Sequence, residues 1–288
     1  MKPAPFAWER PADLAALVER LATAPGSVKL IAGGQSLGPM LNLRLVEPDL
    51  VLDITGIAEL RQARVEDNVL VLGACVTHAD IEDGRVPDLT GGALQRVAAA
   101  IAYRPVRNRG TIGGSLVHAD PAADWLSALT ALGAEVEIAG RNGRRTMPVE
   151  RFVTGALDVA LSPGEMLVAI RIPAMPEGAA WGYVKHCAKI GEFAHAIAAV
   201  RLEPEAGRCR AVIGAVEGPP LLLADASPLF GGRIGPDFAT CFDARTADSV
   251  LAASGMTDPV DRHIHVTVLA RAVAQAARPV RSLLPEAA

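Results

Sequence analysis

Two paired glycines, Gly33-Gly34 and Gly113-Gly114, constrain this chain more than any other feature of its sequence. Each pair lies at the end of an apolar segment and is followed by a polar residue, Gln35 in one case and Ser115 in the other. Paired glycines let the backbone take positive φ, so that successive N–H groups can converge on one point. With no Cβ in the way, an anion can approach the main chain and be held there without any lysine. Gln35, Ser36, Thr111 and Ser115 would add side-chain donors. Two such turns suit a pyrophosphate, which presents two charged groups. Neither turn fits the G-x-G-x-x-G or G-x-x-x-x-G-K-[ST] spacing, so neither a dinucleotide-binding fold of that kind nor a P-loop is supported. On the residues alone the two turns are anion-binding loops or simply tight turns.

The segments around them alternate in type. PADLAALVERLATA at 11–24 predicts a helix, with Pro11 in its first turn and Leu14, Leu17, Val18 and Leu21 on one face. Short apolar runs at 28–31, 50–54 and 69–72 predict strands, and Thr77 predicts the cap of a helix. A helix is expected at 92–102, a loop at 107–115, a helix at 122–132, and strands at 135–138 and 165–172. AMPEG at 174–178 reads as a boundary. Beyond it, strands are expected at 181–185, 194–202 and 211–216, followed by a late helix at 266–277. Strands followed by helices predict an α+β arrangement.

Half of the 288 residues are hydrophobic but only 4% are aromatic, so the core must be built from Ala, Val, Leu and Ile. A formal net charge of −4, with Arg interleaved among Asp and Glu, gives no basic patch for a nucleic-acid partner. There is no apolar run of membrane-spanning length, and the N-terminus lacks the apolar core of a signal peptide, so a cytoplasmic location is expected. Cys75, Cys187, Cys209 and Cys241 are too scattered to ligate an iron–sulfur cluster and are read as free thiols. His263 and His265 have the spacing of a metal pair on a strand, but no further ligand accompanies them, and no metal site is assigned. His118 and Asp120 are read as shaping their loop and capping the helix after it.

AGGQSLGPMLNLRL at 32–45 and RNRGTIGGSLVHADPAADW at 107–125 together resemble the paired FAD signatures of the flavoprotein subunits of molybdenum hydroxylases. GEMLVAIRIP at 164–173 and YVKHCAKIGEFAHAIAAV at 183–200 fit the same family in the same order. The nearest resemblance is to medium subunits of the aerobic carbon monoxide dehydrogenase type. It implies a two-lobed FAD-binding domain of the PCMH type over 1–175 and a smaller α/β C-terminal domain over 178–288. It also implies that Ala32, Gly33, Gly34, Gln35, Ser36 and Leu37 form one pyrophosphate loop, and Thr111, Ile112, Gly113, Gly114 and Ser115 the other. Ile101 and Leu167 become apolar contacts, Asp124 a hydrogen-bond partner of FAD, and Lys185 a cation beside the flavin that favours its anionic reduced form. Phe193 stands where the family often has Tyr, and the stretch 256–266 departs from the family pattern.

In such systems the molybdenum cofactor sits on a large subunit and two 2Fe–2S clusters on a small subunit, the whole forming a dimer of heterotrimers. The chain would then have no catalytic residues for the hydroxylation and would carry electrons out through FAD. Substrate and final acceptor (quinone, oxygen or NAD) stay open. Two other readings also stay open: a self-contained FAD-dependent oxidoreductase of the same fold superfamily, and a scaffold subunit without FAD.

Overall fold

The computed structural model describes residues 2–278. The chain begins with a small parallel sheet. Strand β1 (Ala7–Glu9) leads into helix α1 (Leu14–Thr23), then β2 (Val28–Ile31), α2 (Leu37–Asn42) and β3 (Leu50–Asp53). The sheet order is β1-β3-β2, with β3 wholly buried in the middle. Asp13, not Pro11, starts α1: its carboxylate accepts from the Ala16 N–H, which leaves Pro11 outside the helix. Leu14 and Leu17 then turn inward against the sheet.

A second, antiparallel sheet follows. Strands β4 (Ala63–Glu66) and β5 (Val69–Gly73) precede five helices: α3 (His78–Glu82), α4 (Ala93–Ala100), α5 (Arg104–Arg107), α6 (Ile112–His118) and α7 (Asp124–Leu132). After these come β6 (Glu135–Gly140), β7 (Gly143–Pro148), α8 (Val149–Phe152), a minimal hairpin of β8 (Val153–Gly155) and β9 (Asp158–Val159), and β10 (Met166–Pro173). The sheet order is β4-β5-β10-β6-β7.

The C-terminal part is a meander of β11 (Ala180–His186), β12 (Ala196–Glu203), β13 (Arg208–Gly214) and β14 (Leu221–Leu223). It is followed by α9 (Phe238–Cys241), α10 (Ala244–Ala253) and α11 (Pro259–Ala276). Both faces of this sheet are covered. Ile197 and Ala199 of β12 pack toward the core that holds α7, whereas Ala196, Ala198, Val200 and Leu202 pack toward the core that holds α10 and α11. That is why β12 reads as an almost unbroken apolar run. The α+β class and its lobed order are as expected from the sequence. The late helix differs: α11 begins seven residues earlier than the expected 266, behind an Asp258 cap. His263 and His265 therefore lie on a helix, not a strand. His263 is exposed, and His265 is buried with Nδ1 2.9 Å from the Asp261 carbonyl oxygen of its own helix. Residues two apart on a helix do not share a face, so the pair cannot chelate.

Candidate functional site

The three sheets meet around one cleft of about 1100 Å³, slightly above the usual range for small-molecule sites. The loop after β2 forms one wall. Of its two glycines only Gly34 has positive φ, at 71°. Gly33 serves a different purpose: a Cβ there would overlap the Arg109 carbonyl oxygen and lie 2.6 Å from its carbon. Gly33 thus lets the two glycine segments cross in direct backbone contact. Arg109 Nε in turn donates to the Gly33 carbonyl at 3.4 Å. Within the described residues, the N–H groups of Gly33, Gly34, Gln35, Ser36 and Leu37 have no acceptor. Five consecutive main-chain donors on the wall of a cleft call for an acceptor from outside the chain.

The second glycine segment is not the loop expected from the sequence. It opens α6, with Thr111 as the cap: Thr111 Oγ1 accepts from the Gly114 N–H at 3.1 Å. Four of its main-chain donors, those of residues 112–115, are already used. Ile112 N–H donates to the Val76 carbonyl, Gly113 N–H to that of Ala74, and Ser115 N–H to that of Thr111, each at 3.0 Å. A Cβ on Gly113 would stand 2.5 Å from the Ala74 Cβ, so this glycine permits close packing of α6 on the chain after β5. Ile112 is fully buried in the core and is absent from the cleft lining. What this segment offers the cleft is the Thr111 and Ser115 hydroxyls, which keep protons to give.

The other sequence-predicted residues do come together. Ala32, Ile101, Asp124, Leu167 and Lys185 line the same cleft as the two glycine segments. Ile101 is held by Arg107, whose Nη1 donates to the carbonyls of Ile101 (2.9 Å) and Ala102 (3.2 Å). Arg107 is itself fixed by two bonds to Glu82, at 2.7 and 2.8 Å. Lys185, expected as a cation beside the flavin, is ion-paired. Its Nζ lies 2.9 Å from Asp124 Oδ1, with the side chains only 12% and 9% exposed. The Tyr183 hydroxyl donates to the same oxygen at 2.6 Å. Burial first, and then the Asp124 charge, raise the Tyr183 pKa far above the ordinary range, so this hydroxyl stays protonated. Asp124 Oδ2 has no partner within the described residues and remains available to a ligand.

Asp120 does not cap α7. Its carboxylate accepts from the Ala122 N–H at 2.9 Å and tightens the turn before the Ala123 cap position. Phe193, largely exposed, stands at the mouth with Gly191, whose missing Cβ would meet the Tyr103 ring at 2.6 Å. Sequence reasoning missed Tyr183, although its alternation with Lys185 on β11 places both on one face. It also missed His78, which lines the cleft and accepts a hydrogen bond from the Trp125 indole, and which no local pattern announces.

A family model described as the FAD binding domain in molybdopterin dehydrogenase matches residues 4–175. The chain belongs to this FAD-binding family of the molybdopterin dehydrogenases. It is 36% identical over 206 residues to caffeine dehydrogenase subunit beta of Pseudomonas sp. strain CBB1, covering 71% of this chain and 70% of that one. It is 34% identical over 268 residues to the carbon monoxide dehydrogenase medium chain of Afipia carboxidovorans, covering 90% and 89%. Among solved structures it resembles quinoline 2-oxidoreductase from Pseudomonas putida 86, with a TM-score of 0.84 and 32% identity over 96% of this chain and 98% of that one. The carbon monoxide dehydrogenase of Hydrogenophaga pseudoflava matches equally well, with a TM-score of 0.84 at 29% identity.

Members of the family are oxidoreductase flavoproteins, and this chain fits the group that the family model names. The unpaired donors at 33–37 suit a pyrophosphate, the apolar Ile101 and Leu167 suit ring faces, and Asp124 Oδ2 suits a hydroxyl or N–H donor. The matched range takes in both glycine segments, Asp124 and Leu167; Lys185 and Tyr183 lie beyond it. No helix of the described residues is long and apolar enough to cross a membrane.

Proposed function

We propose that this chain is the electron-exit subunit of a molybdenum hydroxylase, holding FAD in the cleft between its three sheets. The observation that carries this reading is the row of five N–H groups at 33–37 with no acceptor among the described residues, in a segment that lines one cleft with Asp124 and Lys185. The site comprises Ala32 to Leu37, Ile101, Thr111, Gly113, Gly114, Ser115, Asp124, Leu167 and Lys185. FAD supplies a group that accepts electrons from iron–sulfur clusters and passes them to an acceptor.

The chain's own residues bind and orient. The 33–37 donors fix the pyrophosphate without a cation, since no Lys or Arg is needed where main-chain dipoles converge. Asp124, steadied by Tyr183 and Lys185, accepts a hydrogen bond through Oδ2. Lys185 is neutralised by Asp124, so its influence on the flavin is that of a dipole, not of an isolated positive charge. Leu167 and Ile101 exclude water from the ring faces.

The domains are read as 1–175 for FAD binding and 178–288 for the C-terminal part. The partners are an iron–sulfur small subunit and a molybdenum-cofactor large subunit, arranged as a dimer of heterotrimers in the cytoplasm. Support comes from relatives named as medium chains and subunits of dehydrogenases. The test is flavin absorbance and FAD titration of the purified chain, alongside the complex that copurifies with it. Stoichiometric FAD in either is expected. Flavin absent from both the chain and the intact complex refutes the reading.

A further inference from the structure

His78 begins α3 behind the Thr77–Asp80 capping box, and its backbone N–H donates to the Gly110 carbonyl at 2.9 Å. The residue is 5% exposed. On one side of its ring the Trp125 indole lies 3.1 Å from Nδ1. An indole N–H can only donate, so Nδ1 is the acceptor, and a neutral ring must then carry its proton on Nε2. Burial, helped by the Arg107 guanidinium, pushes the His78 pKa down to about 4, which keeps the ring neutral at pH 7.

Nε2 has no hydrogen-bond partner among the described residues, yet it is not one of the polar atoms sealed from solvent. The ring lines the cleft together with Gly110, Thr111 and Asp124. Gly110 packs beside this edge of the ring and, having no side chain, does not cover it: a Cβ there would stand 2.9 Å from both Cδ2 and Nε2. The chain therefore presents, in the lining of the cleft, a donor whose tautomer is fixed from behind and which has no acceptor among the described residues. An N–H in so little solvent gains from a fixed acceptor.

We infer that His78 is a cofactor-binding residue whose Nε2–H donates to an oxygen of FAD, with Trp125 as the positioning residue that holds the donating tautomer. This rests on the reading of the cleft as an FAD site. A neutral N–H suits a phosphate or a carbonyl oxygen equally, and it adds a directional contact to those of the 33–37 donors in the same cleft. No proton is transferred, and the role is binding and orientation.

The test uses the full chain labelled with ¹⁵N-histidine, followed by long-range ¹H–¹⁵N spectra with and without FAD, beside FAD titrations by flavin fluorescence. In the free chain the His78 ring is expected in the Nε2–H tautomer at pH 7. On adding FAD its Nε2 proton is expected to shift downfield and exchange more slowly. His78→Phe is expected to weaken FAD binding at least ten-fold. His78→Gln, whose amide can accept from the indole and donate onward, is expected to recover most of that loss, and Trp125→Phe to mix the two tautomers. A wild-type chain that binds FAD with an unchanged His78 signal overturns the inference. So does a folded His78→Phe chain that melts lower but binds FAD as wild type does. Should His78→Phe fail to fold, the wild-type spectra decide alone. A wild-type chain that takes up no FAD in the titration overturns the inference too, by removing the reading on which it rests.

Discussion

Asp124 serves Tyr183 and Lys185 through one oxygen and leaves the other free. Breaking such an arrangement from one side strands a charge in a nearly dry place. Lys185→Met is expected to destabilise the chain by about 3 kcal/mol, because removing one partner of a buried pair costs more than the pair contributes. Asp124→Asn combined with Lys185→Met should regain most of this, and a double-mutant cycle by urea unfolding measures the coupling. Additive losses would show that the two side chains do not act as a pair. His78 gives the chain a dependence on acid. Its folded pKa, about 4, lies below the unfolded value near 6.5. The stabilisation is therefore complete above pH 6.5 and is lost as pH falls toward 4, by about 2 to 3 kcal/mol. His78→Phe should flatten that limb of the urea-midpoint profile between pH 7 and 4. An unchanged slope would mean that another group carries it.

At the scale of elements, the two glycine segments divide the work: the first keeps its main-chain donors open, and the second spends them on the core. Gly33→Ala sets a Cβ against the backbone of Arg109 and Gly110, which no rotamer change relieves. It is expected to weaken FAD binding more than ten-fold. Gly34→Ala, whose cost is a positive φ of about 1 kcal/mol, should do less. Equilibrium titration of the two variants checks the order. Eight of the fourteen strands and five of the eleven helices among the described residues were legible in the sequence, where alternation, helical spacing or a capping residue such as Thr77 declares itself locally; the short strands and one-turn helices carry too few residues for a pattern. The start of α6 was not, because Gly-Gly before a serine carries the same local signal as a turn. Nor were the partners of the glycines. Gly182 admits the Ala272 carbonyl of α11, and Gly214 admits the Ser127 hydroxyl of α7, contacts between segments far apart in the chain. The cleft's glycines, Asp124 and Lys185 were legible through resemblance. Tyr183 and His78 gain their meaning only from neighbours 59 and 47 residues away.

Across the whole molecule, α7 joins the segments on either side of 174–178. All nine of its residues are buried. Near its start Asp124 meets Tyr183 and Lys185 of β11, and near its end Arg210 and Arg201 donate to the Thr130 (2.9 Å) and Leu132 (2.8 Å) carbonyls. One core cluster runs from Leu70 through Trp125 to Val212. The full chain is therefore expected to unfold in a single calorimetric transition with equal calorimetric and van't Hoff enthalpies. Two resolved transitions would show that the sheets on either side of 174–178 melt separately. The arrangement also sets an order of events at the ribosome. The loop at 33–37 emerges first and α7 later, while β11, which supplies Lys185 and Tyr183, emerges only after both. A half-made chain can display every main-chain donor of the first loop and still lack the far wall of the cleft, so the cofactor can be gripped only once synthesis has passed β11 and its sheet has closed on α7.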